Sequence, residues 1–203
     1  MKKVALLIDG GHLRVAAQKS SYKYSNDLVE TVAKSCIDST HEELYRILYY
    51  DCTPYKGTVK LPVTGQQADL SKTDSWVDDL AKRPMFAVRL GVLKFRGWKP
   101  KRIPVAHRPL EDSDFAPDFE QKGVDMRIGL DISILASNRS VERVILLTAD
   151  TDFIPAMKHD RREGLQIVAV RLPGVTLTRE FLAHVDIERE VPLPPVMAPG
   201  AAR

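Results

Sequence analysis

Asp9 directly follows the apolar run Val4-Ala5-Leu6-Leu7-Ile8, and Asp150 and Asp152 follow Val144-Ile145-Leu146-Leu147. Asp125 stands in Gln121-Lys122-Gly123-Val124-Asp125, at the head of an apolar-periodic segment. Carboxylates gathered in one place repel each other unless something positive sits among them. Mg²⁺ and Mn²⁺ are hard cations that favour such oxygen ligands. A cation held this way binds a phosphate, acidifies a water and stabilises a leaving oxygen. Phosphodiester hydrolysis needs those roles and no nucleophilic side chain. Each acid also has a plainer reading. Asp152 could cap a helix starting at Phe153, Asp9 could open a turn with Gly10-Gly11, Asp125 could complement a helix dipole, and Asp150 could be a turn residue. As a group, Asp9, Asp125, Asp150 and Asp152 are the candidate catalytic and metal-binding set. Asp131 lies about 240° around an ideal helix from Asp125, so the two cannot face one ion directly. Asp51, at another expected strand end, has no independent support.

These acids share a site only if the segments carrying them are neighbours. A short unbroken apolar run bounded by glycine, such as residues 4–8, reads as a buried strand of a parallel sheet. Residues 44–50, 144–147 and 165–172 read the same way, and 86–95 has mixed strand character. Helices are expected from residue 12 to 19, from Asn26 as cap through Ile37, over 69–82 up to Pro84, over 124–136, from Phe153 to the stop at Gly164, and over 176–183. Residues 96–122, with four prolines and much charge, read as a long functional loop. Strands alternating with helices predict an α/β fold: three layers, α/β/α, around a mostly parallel sheet. In such sheets ligands bind beyond the carboxyl ends of the strands, where strand order reverses. One domain over residues 1–190 is expected, followed by a Pro-rich disordered tail over 191–203.

The net charge of the 203-residue chain is only +3, but it is unevenly placed. Every charged residue in 82–110 is Lys or Arg, whereas acids dominate 111–131. A basic block beside an acidic one suits a polyanion held next to a metal. Arg96-Gly97-Trp98-Lys99 is the preferred nucleic-acid contact. Arg96 and Lys99 would hold phosphates, Trp98 would stack on an unpaired base, and Lys122 would reach a phosphate near the metal. Phe86 and Phe95 fit better in the core. Hydrophobic residues make up 44% of the chain, ordinary for a globular protein. No apolar run approaches the roughly 20 residues of a membrane span, and the first residues lack a signal-peptide pattern. Cys36 and Cys52 form neither a disulfide framework nor a metal-ligand spacing. A cytoplasmic protein without membrane contact is expected.

Three pieces resemble the NYN domains of the PIN-like nuclease superfamily, in particular the LabA-like bacterial branch: Leu7-Ile8-Asp9-Gly10-Gly11-His12-Leu13, Lys122-Gly123-Val124-Asp125, and Leu147-Thr148-Ala149-Asp150-Thr151-Asp152-Phe153-Ile154-Pro155. Their order and spacing span residues 2–172. The resemblance implies a PIN-like, metal-dependent ribonuclease. Asp9 would be the first-strand acid, Asp125 the acid after Lys-Gly-Val, and Asp150 and Asp152 the pair after the later strand. Many relatives carry Asn where His12 stands, and Ser-Gly-Asp where this chain has Thr148-Ala149-Asp150. His12 is assigned with the RNA contacts, with packing as its plainer role.

The expected activity is therefore Mg²⁺- or Mn²⁺-dependent hydrolysis of single-stranded or structured RNA, endonucleolytic because the sheet edge is open. The choice of RNA over DNA rests on the resemblance. The alternative is a non-catalytic RNA-binding or regulatory module with the same fold. Assembly into a homo-oligomer stays open. An aspartyl-phosphate enzyme would need a second Asp where Gly11 stands, and Gly10-Gly11-His12 lacks the spacing of a dinucleotide-binding loop.

Overall fold

The computed structural model describes residues 1–73, 75–105 and 108–194. Its central strand is β1, Lys2–Asp9, whose residues 4–8 are almost wholly buried. Beside it lie β2, Glu42–Thr53, and then β5, Phe86–Pro100, both parallel to β1. On the other flank come β7, Arg143–Leu147, β8, Gln166–Arg171, and β9, Ile187–Glu190, also parallel. β6, Phe115–Lys122, is the antiparallel edge beside β5. The order β6-β5-β2-β1-β7-β8-β9 is the expected mostly parallel sheet, and its order reverses between β1 and β7. A separate hairpin pairs β3, Thr58–Lys60, with β4, Gln67–Asp69.

Helices cover both faces, and strand alternation decides which residues meet which helices. Val4, Leu6 and Ile8 join a core with α1, Gly10–Lys19, α2, Asn26–Ser35, and α3, Ser75–Ala81. Ala5 and Leu7 join a second core with α4, Val124–Ser137, α5, Ile154–Arg162, and α6, Arg179–Leu182. Dispersion and apolar burial in these two layers hold the fold together.

Several expectations need correction. Ser25, not Asn26, caps α2; its Oγ accepts from Leu28 N at 3.2 Å. The helix expected over 69–82 occupies only 75–81, because residues 67–69 pair with β3. The last helix is confined to residues 179–182, where Thr178 caps it. The loop expected over 96–122 is largely β structure. β5 leaves β2 after Val92 and continues, paired with β6 alone, to Pro100. Because β5 runs parallel to β1, this two-stranded arm rises past the carboxyl edge of the sheet. The β3–β4 hairpin braces it. Asp112 accepts from Val63 N at 2.8 Å and from Thr64 Oγ1 at 2.7 Å, and the rings of Tyr55, Phe95, Trp98 and Phe119 pack together. Val191 and Leu193 are buried in the first core, and Tyr22 Oη donates to Pro194 O at 2.5 Å. The rest of the expected tail, 195–203, lies outside the described residues. Among the described residues no helix is long and apolar enough to cross a membrane.

Candidate metal and nucleic-acid site

Asp9 has the strand parity of Ala5 and Leu7, so its side chain belongs on the α4/α5 face. It ends β1 and caps α1: Oδ1 accepts from His12 N at 3.1 Å, and Oδ2 from Thr148 Oγ1 at 3.4 Å. The N–H groups of a helix start favour a carboxylate there. Gly10 makes this tight strand-to-helix turn feasible. A Cβ there would lie 2.3 Å from Tyr49 Oη and 2.7 Å from Tyr50 O.

Across the switch point, Asp150 Oδ1 accepts from Asp152 N at 2.9 Å. Asp150, rather than Asp152, therefore caps the 3-10 turn Thr151–Phe153 that opens α5. Asp152 is left exposed. Asp125 enters the first turn of α4 because Gly123 adopts a left-handed conformation, φ +76°, between β6 and that helix. Burial, then Asp150, Asp9 and Asp152, pushes the Asp125 carboxyl above the ordinary range. The four carboxylates therefore share one electrostatic field where β1 and β7 diverge.

Asp131 and Asp51 stand apart. Asp131 accepts from Tyr50 Oη at 2.9 Å and lies 3.2 Å from Arg89 Nε. Asp51 has the parity of Tyr49, so it lies on the α1/α2 face, opposite to that of Asp9. It is ion-paired with Arg14 and accepts from Tyr49 Oη at 2.9 Å and its neighbour Cys52 N at 2.8 Å. Burial lowers the His12 pKa, so its ring is neutral near pH 7, and Nε2 is buried without a protein partner.

The cations singled out in the sequence lie on or beside the arm, but are partly neutralised across it. Arg96, at a bulge in β5, lies 3.2 Å from Glu120, which also pairs with Lys122; Lys99 lies 2.8 Å from Asp118. Trp98 Nε1 donates to Lys60 O at 2.8 Å, and the ring packs edge-on against Phe95. Its ring is half-buried, and the Nε1 bond ties the arm to the β3–β4 hairpin. Sequence reasoning passed over Thr148, whose Oγ1 links Asp9 to Asp150 N, and Gln121, which lies beside Gly11. Only Thr148 carried a usable signal, its position two residues before Asp150.

The NYN domain profile matches residues 3–186. The chain belongs to the NYN domain family. This places it in the PIN-like nuclease superfamily, whose members are generally nucleases and typically use divalent metals. A solved Vibrio parahaemolyticus protein of unknown function is similar to this NYN domain in fold, with a TM-score of 0.53 at 16% identity over 93% of this chain and 92% of that one. The SpRpn10 VWA domain, 12% identical over 96% of this chain and 90% of its own, reaches a TM-score of only 0.37 and bears on nothing further. No curated protein sequence matches the chain significantly.

The donor set of this NYN domain suits a hard cation: carboxylate oxygens, with no thiol among them. Among the described residues no group of three or more Asp, Glu, His or Cys side chains is placed so that it could hold a metal ion. Carboxylates without a counter-ion are expected to stand apart, so the fit lies in donor chemistry and shared field.

Proposed function

We propose that this NYN domain is a metal-dependent endoribonuclease of the cytoplasm. Asp9, Asp125, Asp150 and Asp152 would hold Mg²⁺ or Mn²⁺ and form the catalytic set. The observation that carries the reading is the convergence at the carboxyl ends of β1 and β7, where Thr148 Oγ1 links Asp9 to Asp150 N. Asp125 enters from the start of α4, its carboxyl pKa raised by burial and then by the other three acids. A partly buried carboxyl that stands beside further acids is one that a divalent cation stabilises.

When bound, the ion supplies Lewis-acid stabilisation of charge on the scissile phosphate and acidifies the attacking water. The chain's own residues supply position. His12 N–H and Thr148 Oγ1 hold Asp9 from two sides, and Asp152 N–H holds Asp150. Arg96, Lys99 and Lys122 would carry the RNA backbone, exchanging their acidic partners for phosphates. Trp98 would keep the arm's shape, and His12 would fix the first turn of α1 rather than offer charge.

The test is cleavage of labelled single-stranded and hairpin RNA, with matched DNA, in Mg²⁺, Mn²⁺ or EDTA. An Asp150→Asn variant is purified identically. Metal-dependent RNA cutting that falls at least 100-fold in the variant is expected, the order (about 10²–10³) typical for removing one group that stabilises transition-state charge. Cutting that persists in the variant would show the site to be wrong. RNA bound in EDTA and never cut would favour a non-catalytic binding module.

A further inference from the structure

A cleft of about 560 Å³ that the proposed chemistry does not use opens beside Gln121, the neighbour of Gly11. Its lining includes Tyr24, Asn26, Lys72, Trp76, Gln121 and the Arg14–Asp51 pair. Tyr24 and Trp76 are half-buried rings meeting edge-on at 6.5 Å, so part of each indole and phenol surface stays open. Trp76 is held by Asn26, whose Nδ2 donates to the Trp76 carbonyl oxygen at 2.8 Å while Oδ1 is buried without a protein partner. Lys72 is exposed, and among the described residues no acid pairs with its ammonium. Arg14 neutralises Asp51 in the cleft wall, so the wall does not repel a polyanion.

Gln121 joins this cleft to the acid cluster. A Cβ on Gly11 would lie 3.2 Å from Asp9 Oδ1 and 3.6 Å from Gln121 Nε2, so one backbone turn separates the two. Aromatic walls, amide groups able to read a base edge and an exposed lysine within a cleft of this size suit a planar heterocycle attached to a phosphate. We infer that the Tyr24–Trp76–Lys72–Gln121 cleft is a nucleobase pocket that seats an unpaired base of the RNA next to the phosphate presented to Asp9. The inference rests on the reading of the acids as a cleavage site. It assigns nucleotide selectivity to residues outside the acid cluster.

The chain has two tryptophans, so Trp98→Phe leaves Trp76 as the only indole. In that background, with EDTA, each of the four ribonucleoside 5′-monophosphates is titrated against Trp76 fluorescence, with ribose 5-phosphate as control. At least one nucleotide should quench saturably and ribose 5-phosphate should not. Lys72→Ala combined with Gln121→Ala should weaken that binding by roughly tenfold or more. In parallel, the ends left by cleavage of a random unpaired RNA are sequenced. Wild type should favour particular nucleotides at one position beside the cut, and the double variant should flatten that preference. Cleavage without saturable quenching by any nucleotide, or equal quenching by ribose 5-phosphate, overturns the pocket and leaves the nuclease reading standing. Saturable, base-dependent quenching with no cleavage in any metal supports the pocket and overturns the nuclease reading.

Discussion

Asp9 illustrates how one residue serves the backbone and the proposed chemistry together. Its carboxylate terminates β1, caps α1 through His12 N and meets Thr148, so fold geometry and ligand geometry are set by the same two oxygens. Asp160 is the contrasting case, a carboxyl with no part in the site. It is fully buried on α5, 3.1 Å from His159 Nδ1, and among the described residues its Oδ2 has no partner. Burial pushes its pKa up, with His159 opposing. The folded state thus retains a proton that the unfolded chain releases near the usual Asp value of about 4. The stability from this group is present below that value and is lost as pH rises through the raised folded pKa. Asp160→Asn should therefore gain on the order of 1 kcal/mol at neutral pH, about 2–4 °C in Tm, and nothing near pH 4. Melting curves at both pH values decide it; an equal change at both would assign the effect to packing.

The arm made from β5 and β6 is the element that departs most from expectation. Its strands mix half-buried and exposed positions, and apolar residues alternate with charged ones only over Leu93-Lys94-Phe95-Arg96, too short a stretch to mark two paired strands. What makes them strands is non-local: the aromatic cluster with Tyr55 and the brace from Asp112 to Val63 and Thr64. The same pairing explains why the basic block next to the acidic block is not a free cationic surface. Glu120 serves both Arg96 and Lys122. Glu120→Gln should release both, tighten RNA binding and steepen its salt dependence by about 0.7 in log–log slope for each additional phosphate neutralised. Filter binding across a salt series measures both quantities. Unchanged slope and affinity would mean that neither cation reaches the RNA.

At the scale of the whole molecule the two ends of the sheet have different tasks. The carboxyl edge gathers Asp9, Asp125, Asp150 and Asp152, whose mutual repulsion opposes folding in the absence of a counter-ion. The amino edge is tied by Glu42. Its fully buried carboxylate lies 2.5 Å from Arg143 and 2.7 Å from Arg189, linking the start of β2 to β7 and β9. Burial alone would raise its pKa, but the hydrogen bonds from Arg189, Asp38 N and Arg143 hold it below the ordinary range. Glu42→Ala leaves two arginines without their shared partner, and loss of one member of such a buried pair costs about 3–5 kcal/mol. A fall of roughly 10 °C in Tm is expected by calorimetry. The distance of Glu42 from the acids predicts that activity below the new melting range is kept; a loss of activity without a loss of stability would contradict this division.

The residues themselves determined the α/β class, the central buried strand and the four acids, because continuous apolar runs and their terminal aspartates are local features. The three motif pieces also suffice to place the chain among NYN domains. Tertiary structure alone decided which acids stand close enough to influence one another. Strand parity sends Asp9 to the α4/α5 face and Asp51 to the opposite one, where Arg14 neutralises it. It also decided that Trp98 braces the arm while Trp76 lines a cleft, since the surroundings of an indole depend on residues distant in the chain. Local pattern reports which residues prefer burial or a turn. The partner of each charge and ring is set by strand order and register, which no single segment encodes.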